Sequence, residues 1–255
     1  MSLLSARALT ASIGNKLICN ELNFSVEPDQ YWGVLGGNGV GKTTLLQTLI
    51  GLHEAVHGDI EIEGKSLQDW RRKDLACRLG VLFQDGQDTF PASVMETVLA
   101  GRHPYLPFWS IEGKDDIKLA HKALADVAMV DMSYRQVNTL SGGERRRLAI
   151  ATLLVQNPTI WLLDEPTNHL DLYHQISLLD LVIERVRSTT GGILMVLHDV
   201  NIVTRYCTHA MLMIDANTIL CGPVDAVVTQ KNLEKLYQHP IKTIQDKNAV
   251  FYFPE

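Results

Sequence analysis

Gly36-Gly37-Asn38-Gly39-Val40-Gly41-Lys42-Thr43 fits the spacing G-x-x-x-x-G-K-[ST], whose chemistry is phosphate binding. Its glycines let backbone N–H groups close around phosphate oxygens, and the helix that follows adds about half a positive charge. Lys42 is placed to reach β- and γ-phosphates, and the Thr43 hydroxyl to bind Mg²⁺. A second constellation is Asp164-Glu165, at the end of the apolar run Thr159-Ile160-Trp161-Leu162-Leu163. A carboxylate there costs free energy unless it is paired or holds a metal. Beside a phosphate loop, Asp164 is expected to hold Mg²⁺, directly or through water. Glu165 points elsewhere and is expected to act as general base or water-orienting group, the bland alternative being a solvated carboxylate. Gln84 and His198 each follow a short apolar run. Gln84 can orient water or touch Mg²⁺, and His198 can contact a γ-phosphate or be a satisfied structural histidine. Leu140-Ser141-Gly142-Gly143-Glu144 opens another helix, with Ser141 as cap and two glycines exposing N–H groups. It is either a plain cap, with Arg145-Arg146-Arg147 as a solvated face, or a seat for a phosphate held by another subunit.

These residues need a frame to hold them. Tyr31 to Leu35, Gly80 to Phe83, Thr159 to Leu163 and Ile193 to Leu197 are short apolar runs that predict strands buried on both faces. In an open parallel sheet, ligands bind outside the carboxyl ends of the strands, so Lys42, Gln84, Asp164, Glu165 and His198 should share one rim. Residues 1 to 35 are broken at Gly14-Asn15 and Pro28-Asp29, which predicts turns between strands, and Gly58 to Gly64 alternates like a half-exposed strand. Thr44 to Ile50 predicts a helix closed by Gly51, Ser93 to Leu99 another, and residues 112 to 130 a third. Residues 87 to 156 therefore read as a mostly helical insert in an α/β core.

At 255 residues the chain can bury a substantial core. Lys+Arg 23 against Asp+Glu 29 leaves a net charge of −6, which argues against nucleic acid as a partner. No apolar run approaches the ~18 residues needed to span a bilayer, and the first ten residues lack the pattern of a signal peptide. Cys19, Cys77, Cys207 and Cys221 form no C-x-x-C pair, so reduced thiols are expected.

In order and spacing the whole set resembles the ATP-binding subunit of ABC transporters. Gly36 to Thr43 matches the Walker A motif, Gln84 the Q-loop, Leu140 to Glu144 the signature, Ile160 to Glu165 Walker B. Asn168-His169-Leu170-Asp171 looks like the D-loop and His198 like the switch histidine. The resemblance implies a P-loop NTPase core with a mostly parallel sheet and an antiparallel β part near the N-terminus. That core would comprise residues 1–86 and 157–255, with a helical subdomain at 87–156 carrying the signature. Gly36, Asn38, Gly39, Gly41, Lys42, Thr43 and Thr44 would line the ATP, and Thr43, Gln84 and Asp164 its Mg²⁺. Glu165, His198 and Gln84 would serve hydrolysis. Ser141, Gly142, Gly143 and Asp171 would reach the nucleotide of a second copy in a head-to-tail homodimer. The partners implied are a polytopic membrane permease, on whose inner face the cytoplasmic chain would sit, and indirectly a substrate-binding protein.

Val94, Thr97-Val98, Gly101-Arg102, Pro104-Tyr105 and the stretches Leu170 to Gln175 and Leu233 to Pro240 are similar to importers of ferric siderophores, haem and cobalamin. The alternatives are an exporter ATPase or a soluble non-transport ABC ATPase. Two local features stand apart. His103-Pro104-Tyr105-Leu106-Pro107-Phe108-Trp109 is aromatic enough to be a docking face for the permease, or else a loop tucked on its own helices. And where relatives stack adenine on an aromatic, the position matched through Gly14 is Ile13.

Overall fold

The computed structural model describes residues 1–84, 91–107, 109–246 and 249–255. The expected boundary of the helical insert, at 86/87, lies outside the described residues, as does Phe108 of the aromatic loop. In chain order, β1 (Leu4–Ile13) and β2 (Lys16–Val26) form a hairpin about Gly14-Asn15. β3 (Tyr31–Gly36) leads through the glycine-rich turn into α1 (Lys42–Leu49). β4 (His57–Ile62), β5 (Lys65–Ser66) and α2 (Arg72–Ala76) precede β6 (Leu79–Leu82). Helices α3 (Val94–Leu99), α4 (Lys114–Asp126) and α5 (Gly142–Gln156) come next. They are followed by β7 (Ile160–Asp164), α6 (Leu172–Ser188), β8 (Gly192–Val196) and α7 (Val200–Tyr206). The chain closes with β9 (His209–Met213), β10 (Ile219–Pro223), α8 (Val224–Val227), α9 (Gln230–Tyr237), β11 (Ile241–Asp246) and β12 (Ala249–Pro254).

Six strands make the central sheet in the order β10-β9-β3-β8-β7-β6. Every pairing in it is parallel except β10 with β9. The uninterrupted apolar runs of β7 and β8 have a simple cause: each is buried along its whole length. Trp161 and Leu163 of β7 face a core shared with α3, α4, α5 and α6, while Ile160 and Leu162 face a second core shared with α1 and the N-terminal strands. A strand with both faces covered has no polar side to show. The antiparallel sheet, β2-β1-β4-β5, packs on the second core, and register shifts in β1 interrupt a strict alternation of buried and exposed residues.

Two expectations are adjusted. The helix expected over 112–130 stops at Asp126, because Ala128 turns left-handed at φ +54° and cannot continue it. The C-terminal residues, left as a tail by the sequence, form α9 and the β11–β12 hairpin. Asn201 fastens that hairpin, donating to Tyr252 O at 3.0 Å and accepting from Tyr252 N at 2.9 Å. The Tyr252 hydroxyl donates to Val228 O at 2.7 Å.

Candidate phosphate and carboxylate site

The parallel strands β3, β8, β7 and β6 deliver their carboxyl ends to one rim, as their apolar runs predicted. There the loop before α1 bends through Gly39 at φ +71° and Gly41 at φ +115°. Gly41 has two reasons to lack a side chain: its φ, and a Cβ that would lie 2.6 Å from Ile18 Cγ2. No side chain caps α1 among the described residues, and its first turn holds no acid. Its amides thus remain available to an anion. Buried Lys42 turns its ammonium onto the loop, donating to Gly36 O at 2.7 Å and Gly37 O at 3.1 Å. Burial pushes the Lys42 pKa down, and the charges of Glu165 and then Asp164 pull it back up.

Asp164 sits at the end of β7, 1% exposed, and neither carboxylate oxygen has a hydrogen-bond partner in hydrogen-bonding geometry among the described residues. Burial holds its carboxyl above the usual range. The neighbouring Thr43 hydroxyl works against that, as do the charges of Arg146 and Lys42, while Glu165 adds to it. A buried carboxylate without donors, beside a hydroxyl, is a donor set suited to a hard divalent cation.

Glu165 is buried too, but its carboxylate has three side-chain partners. Oε1 pairs with His198 Nε2 at 2.7 Å, while Oε2 accepts from Gln84 Nε2 at 3.0 Å and from Asn168 Nδ2. Adjacent carboxylates therefore differ in kind: among the described residues Asp164 has the Thr43 hydroxyl nearby but no partner in good hydrogen-bonding geometry, whereas Glu165 pairs with three side chains. The cleft that Glu165 borders has a volume of about 520 Å³ and is lined by Asn38, Gly39, Gly41, Lys42, Thr43, Thr44, Gln84, Glu165 and His198. Ile13, 46% exposed at the end of β1, forms its outer wall with Lys16 and Ile18.

Ser141, Gly142, Gly143 and Asp171 are not in this cleft. Gly142 instead borders an adjoining groove with Arg145, Arg146 and His169, which meets the first cleft at Gln84. Ser141 caps α5 reciprocally: Ser141 Oγ accepts from Glu144 N at 3.3 Å, and Ser141 N donates to Glu144 Oε2 at 2.7 Å. Asp171 caps α6, accepting from His174 N at 2.9 Å. Within one chain Gly142 and the phosphate loop border different grooves.

Arg146 is the functional residue that its sequence neighbours disguise. It is 7% exposed, so the solvated face suggested by three consecutive arginines does not include it. Its guanidinium donates to Phe83 O at 2.6 Å, Asp164 O at 2.6 Å and Glu165 O at 2.5 Å. One side chain of α5 thereby ties together the ends of β6 and β7. Its sequence signal was periodicity: Arg146 lies four, seven and eight residues before Ile150, Leu153 and Leu154, on the buried stripe. We expect Arg146→Ala to destabilise the fold by about 3–5 kcal/mol, since a buried cation and its carbonyl partners lose one another. Thermal unfolding of the purified variant measures it.

The family model for ABC transporters matches residues 19–168. The ferric enterobactin transport ATP-binding protein FepC of Escherichia coli (strain K12) is 34% identical over 246 residues, 96% of this chain and 91% of that protein. The hemin import ATP-binding protein HmuV of Gloeobacter violaceus (strain ATCC 29082 / PCC 7421) is 34% identical over 239 residues, 91% of this chain and 86% of that one. Among solved structures, an inward-facing metal-chelate type ABC transporter superposes with a TM-score of 0.85 at 28% identity. The match covers 100% of this chain and 98% of the other.

Proposed function

The chain belongs to the ABC transporter family, and from that premise we propose that it is the ATP-hydrolysing subunit of a metal-chelate importer, working on the inner face of a membrane through a permease. The observation that carries the reading is the contrast at the end of β7, against the phosphate loop: among the described residues Asp164 lacks a partner in good hydrogen-bonding geometry and Glu165 has three. The importer assignment draws on the ferric siderophore and haem import functions named for its relatives. The cargo proposed is a ferric siderophore or haem, as named for those relatives, or cobalamin, the alternative suggested by the sequence motifs.

ATP lies with its phosphates against the amides of Gly39 and Gly41 and the Lys42 ammonium. Asp164, Thr43 and Gln84 are the residues to hold Mg²⁺, which supplies neutralisation of phosphate charge when bound. Glu165 takes a proton from the water that attacks the γ-phosphorus, as the bond to the bridging oxygen breaks. His198 Nε2 and Gln84 Nε2 steady that carboxylate. Ser141, Gly142, Gly143 and Asp171 act on the nucleotide of a second copy, because the fold keeps them out of their own cleft. No described helix is long and apolar enough to cross a membrane. Coupling is proposed to pass through a separate polytopic permease. A substrate-binding protein feeds that permease from the far side.

Cosedimentation of the chain with a polytopic membrane protein in mild detergent tests the assignment to a transporter. A chain that stays wholly soluble away from membranes contradicts it. The aromatic loop divides in two. Tyr105 is held by its own subunit, its hydroxyl donating to Gln156 O at 2.7 Å and its ring lying 4.3 Å from the Arg102 guanidinium. Trp109 is 92% exposed, and Ile111, two residues on, is 87% exposed. Trp109→Ala is thus expected to weaken copurification with the permease while basal ATPase activity persists. Tyr105→Ala should instead lower stability, by about 1 kcal/mol for the hydrogen bond.

Ile13 sets a further expectation. It offers apolar contact but no π-face, and stacking on an aromatic is worth roughly 1–3 kcal/mol per base where measured with nucleic acids. Ile13→Tyr should tighten ATP binding by a substantial part of that amount, with turnover at saturating ATP unchanged. GTP should compete with ATP to within about one order of magnitude in the unaltered protein, since apolar contact hardly distinguishes purines. Calorimetry on both proteins decides it: equal ATP affinities mean that the base stacks elsewhere.

A further inference from the structure

Glu165 has a second feature besides its crowded carboxylate: its backbone is left-handed, at φ +51°. For a residue with a Cβ that conformation is strained and persists only where neighbours impose it. The backbone is fixed from several sides. Glu165 N donates to Val196 O at 3.1 Å, and Glu165 O accepts from Arg146 Nη2 at 2.5 Å and from Asn168 N at 3.2 Å. Asn168 thus grips Glu165 twice, through its amide N–H to the carbonyl and through its side-chain Nδ2 to carboxylate Oε2.

The loop that carries Asn168 is itself immobilised. Gln175 Nε2, from the first turn of α6, donates to Leu170 O at 3.0 Å. His169, also left-handed at φ +64°, lies against the start of α5: a Cβ on Gly143 would stand 2.9 Å from its carbonyl oxygen. Asn168 is therefore presented to Glu165 by a seated turn. The other two partners of the carboxylate differ. His198 has an exposed side chain, and Gln84 is an exposed residue two positions past β6.

We infer that Asn168 is a positioning residue for ATP hydrolysis, its Nδ2 fixing the Glu165 carboxylate so that the remaining oxygen lone pairs aim at the attacking water. The inference rests on the reading of Glu165 as general base. Asn168 touches neither nucleotide nor water in this role, and acts through Glu165 alone. A group held within tenths of an ångström matters because misplacement by about 1 Å can cost on the order of 10²-fold in rate.

The test uses the whole 255-residue chain with Mg-ATP. Asn168→Ala is expected to lower kcat on the order of 10- to 100-fold with KM for ATP within about twofold of the unaltered protein. Asn168→Ser, which keeps a donor on a residue suited to turns, should recover much of that loss. Combined with Glu165→Gln, the alanine change should add nothing, since the group it positions is already gone. Unaltered kcat in Asn168→Ala, a loss confined to KM, or a full additional loss in the double variant overturns the inference. If the alanine protein does not fold, Asn168→Asp, which keeps the side chain's size but removes its donor, decides by the same comparison: near-normal KM with kcat lowered on the order of 10-fold or more supports the inference, and kcat equal to that of the unaltered protein overturns it. Should Glu165→Gln itself turn over normally, the reading of the base fails, whereas normal turnover in Asn168→Ala beside an inactive Glu165→Gln removes this inference alone.

Discussion

Glu165→Gln is expected to bind Mg-ATP normally and to hydrolyse it on the order of 10²–10⁴-fold more slowly, the range of a general base removed. The site accommodates the change. A glutamine oxygen can accept from Gln84 Nε2 and Asn168 Nδ2, and its NH₂ can donate to His198 Nε2 when that ring nitrogen is unprotonated. The phosphate loop and Asp164 are untouched. With binding intact and turnover blocked, the variant should accumulate as an ATP-dependent dimer on size exclusion, because each nucleotide would stay between Lys42 of one copy and Ser141 to Gly143 of the other. Turnover near that of the unaltered protein would remove Glu165 as the base.

Asp164→Asn should act in opposite directions on catalysis and stability. The carboxylate is buried without hydrogen-bond donors, and burial raises its pKa in the folded state. A raised carboxylate pKa means that the folded chain binds more protons than the unfolded one around that pKa. Stability thus falls as pH climbs from the unfolded value through the folded one, and at neutral pH the ionised group is a standing cost. An uncharged amide removes it. Without nucleotide or Mg²⁺, Asp164→Asn should be more stable than the unaltered chain by roughly 1–3 kcal/mol, the usual penalty of an unsatisfied buried group. The same replacement takes away the cation's carboxylate, so Mg-ATP turnover should drop at least 10²-fold, as the metal supplies several kcal/mol of charge stabilisation. Urea unfolding at neutral pH and at about pH 4 checks the first part, with the gain shrinking at the lower pH. An asparagine protein less stable than the unaltered one would show that Asp164 is satisfied in a way the geometry does not provide.

How much of this was legible beforehand follows from what local sequence encodes. The central strands were legible because burial on both faces leaves a signature in composition, as in Ile160 to Leu163. The phosphate loop was legible because a left-handed turn pressed on Ile18 demands glycine at position 41. Arg146 was not, since charge type predicts a wet side chain, and its burial is forced by carbonyls at Phe83, Asp164 and Glu165 far away in sequence. Asn168 was seen only as part of a motif. Its hold on Glu165 depends on a left-handed backbone at Glu165 that no residue type announces. The β11–β12 hairpin escaped notice because its strands are largely exposed and it is anchored by the distant Asn201.

The central claim is that ATP hydrolysis by this chain drives uptake of a metal chelate, and accumulation in whole cells addresses it most directly. Native cells deleted for the chain, then supplied with the unaltered protein or with Glu165→Gln, would be given labelled ferric siderophore, haem and cobalamin in turn. Uptake of one of these should return with the unaltered chain and stay absent with Glu165→Gln at equal protein level. Uptake of all three that is indifferent to the chain, in cells where the purified protein still hydrolyses Mg-ATP, would contradict the account.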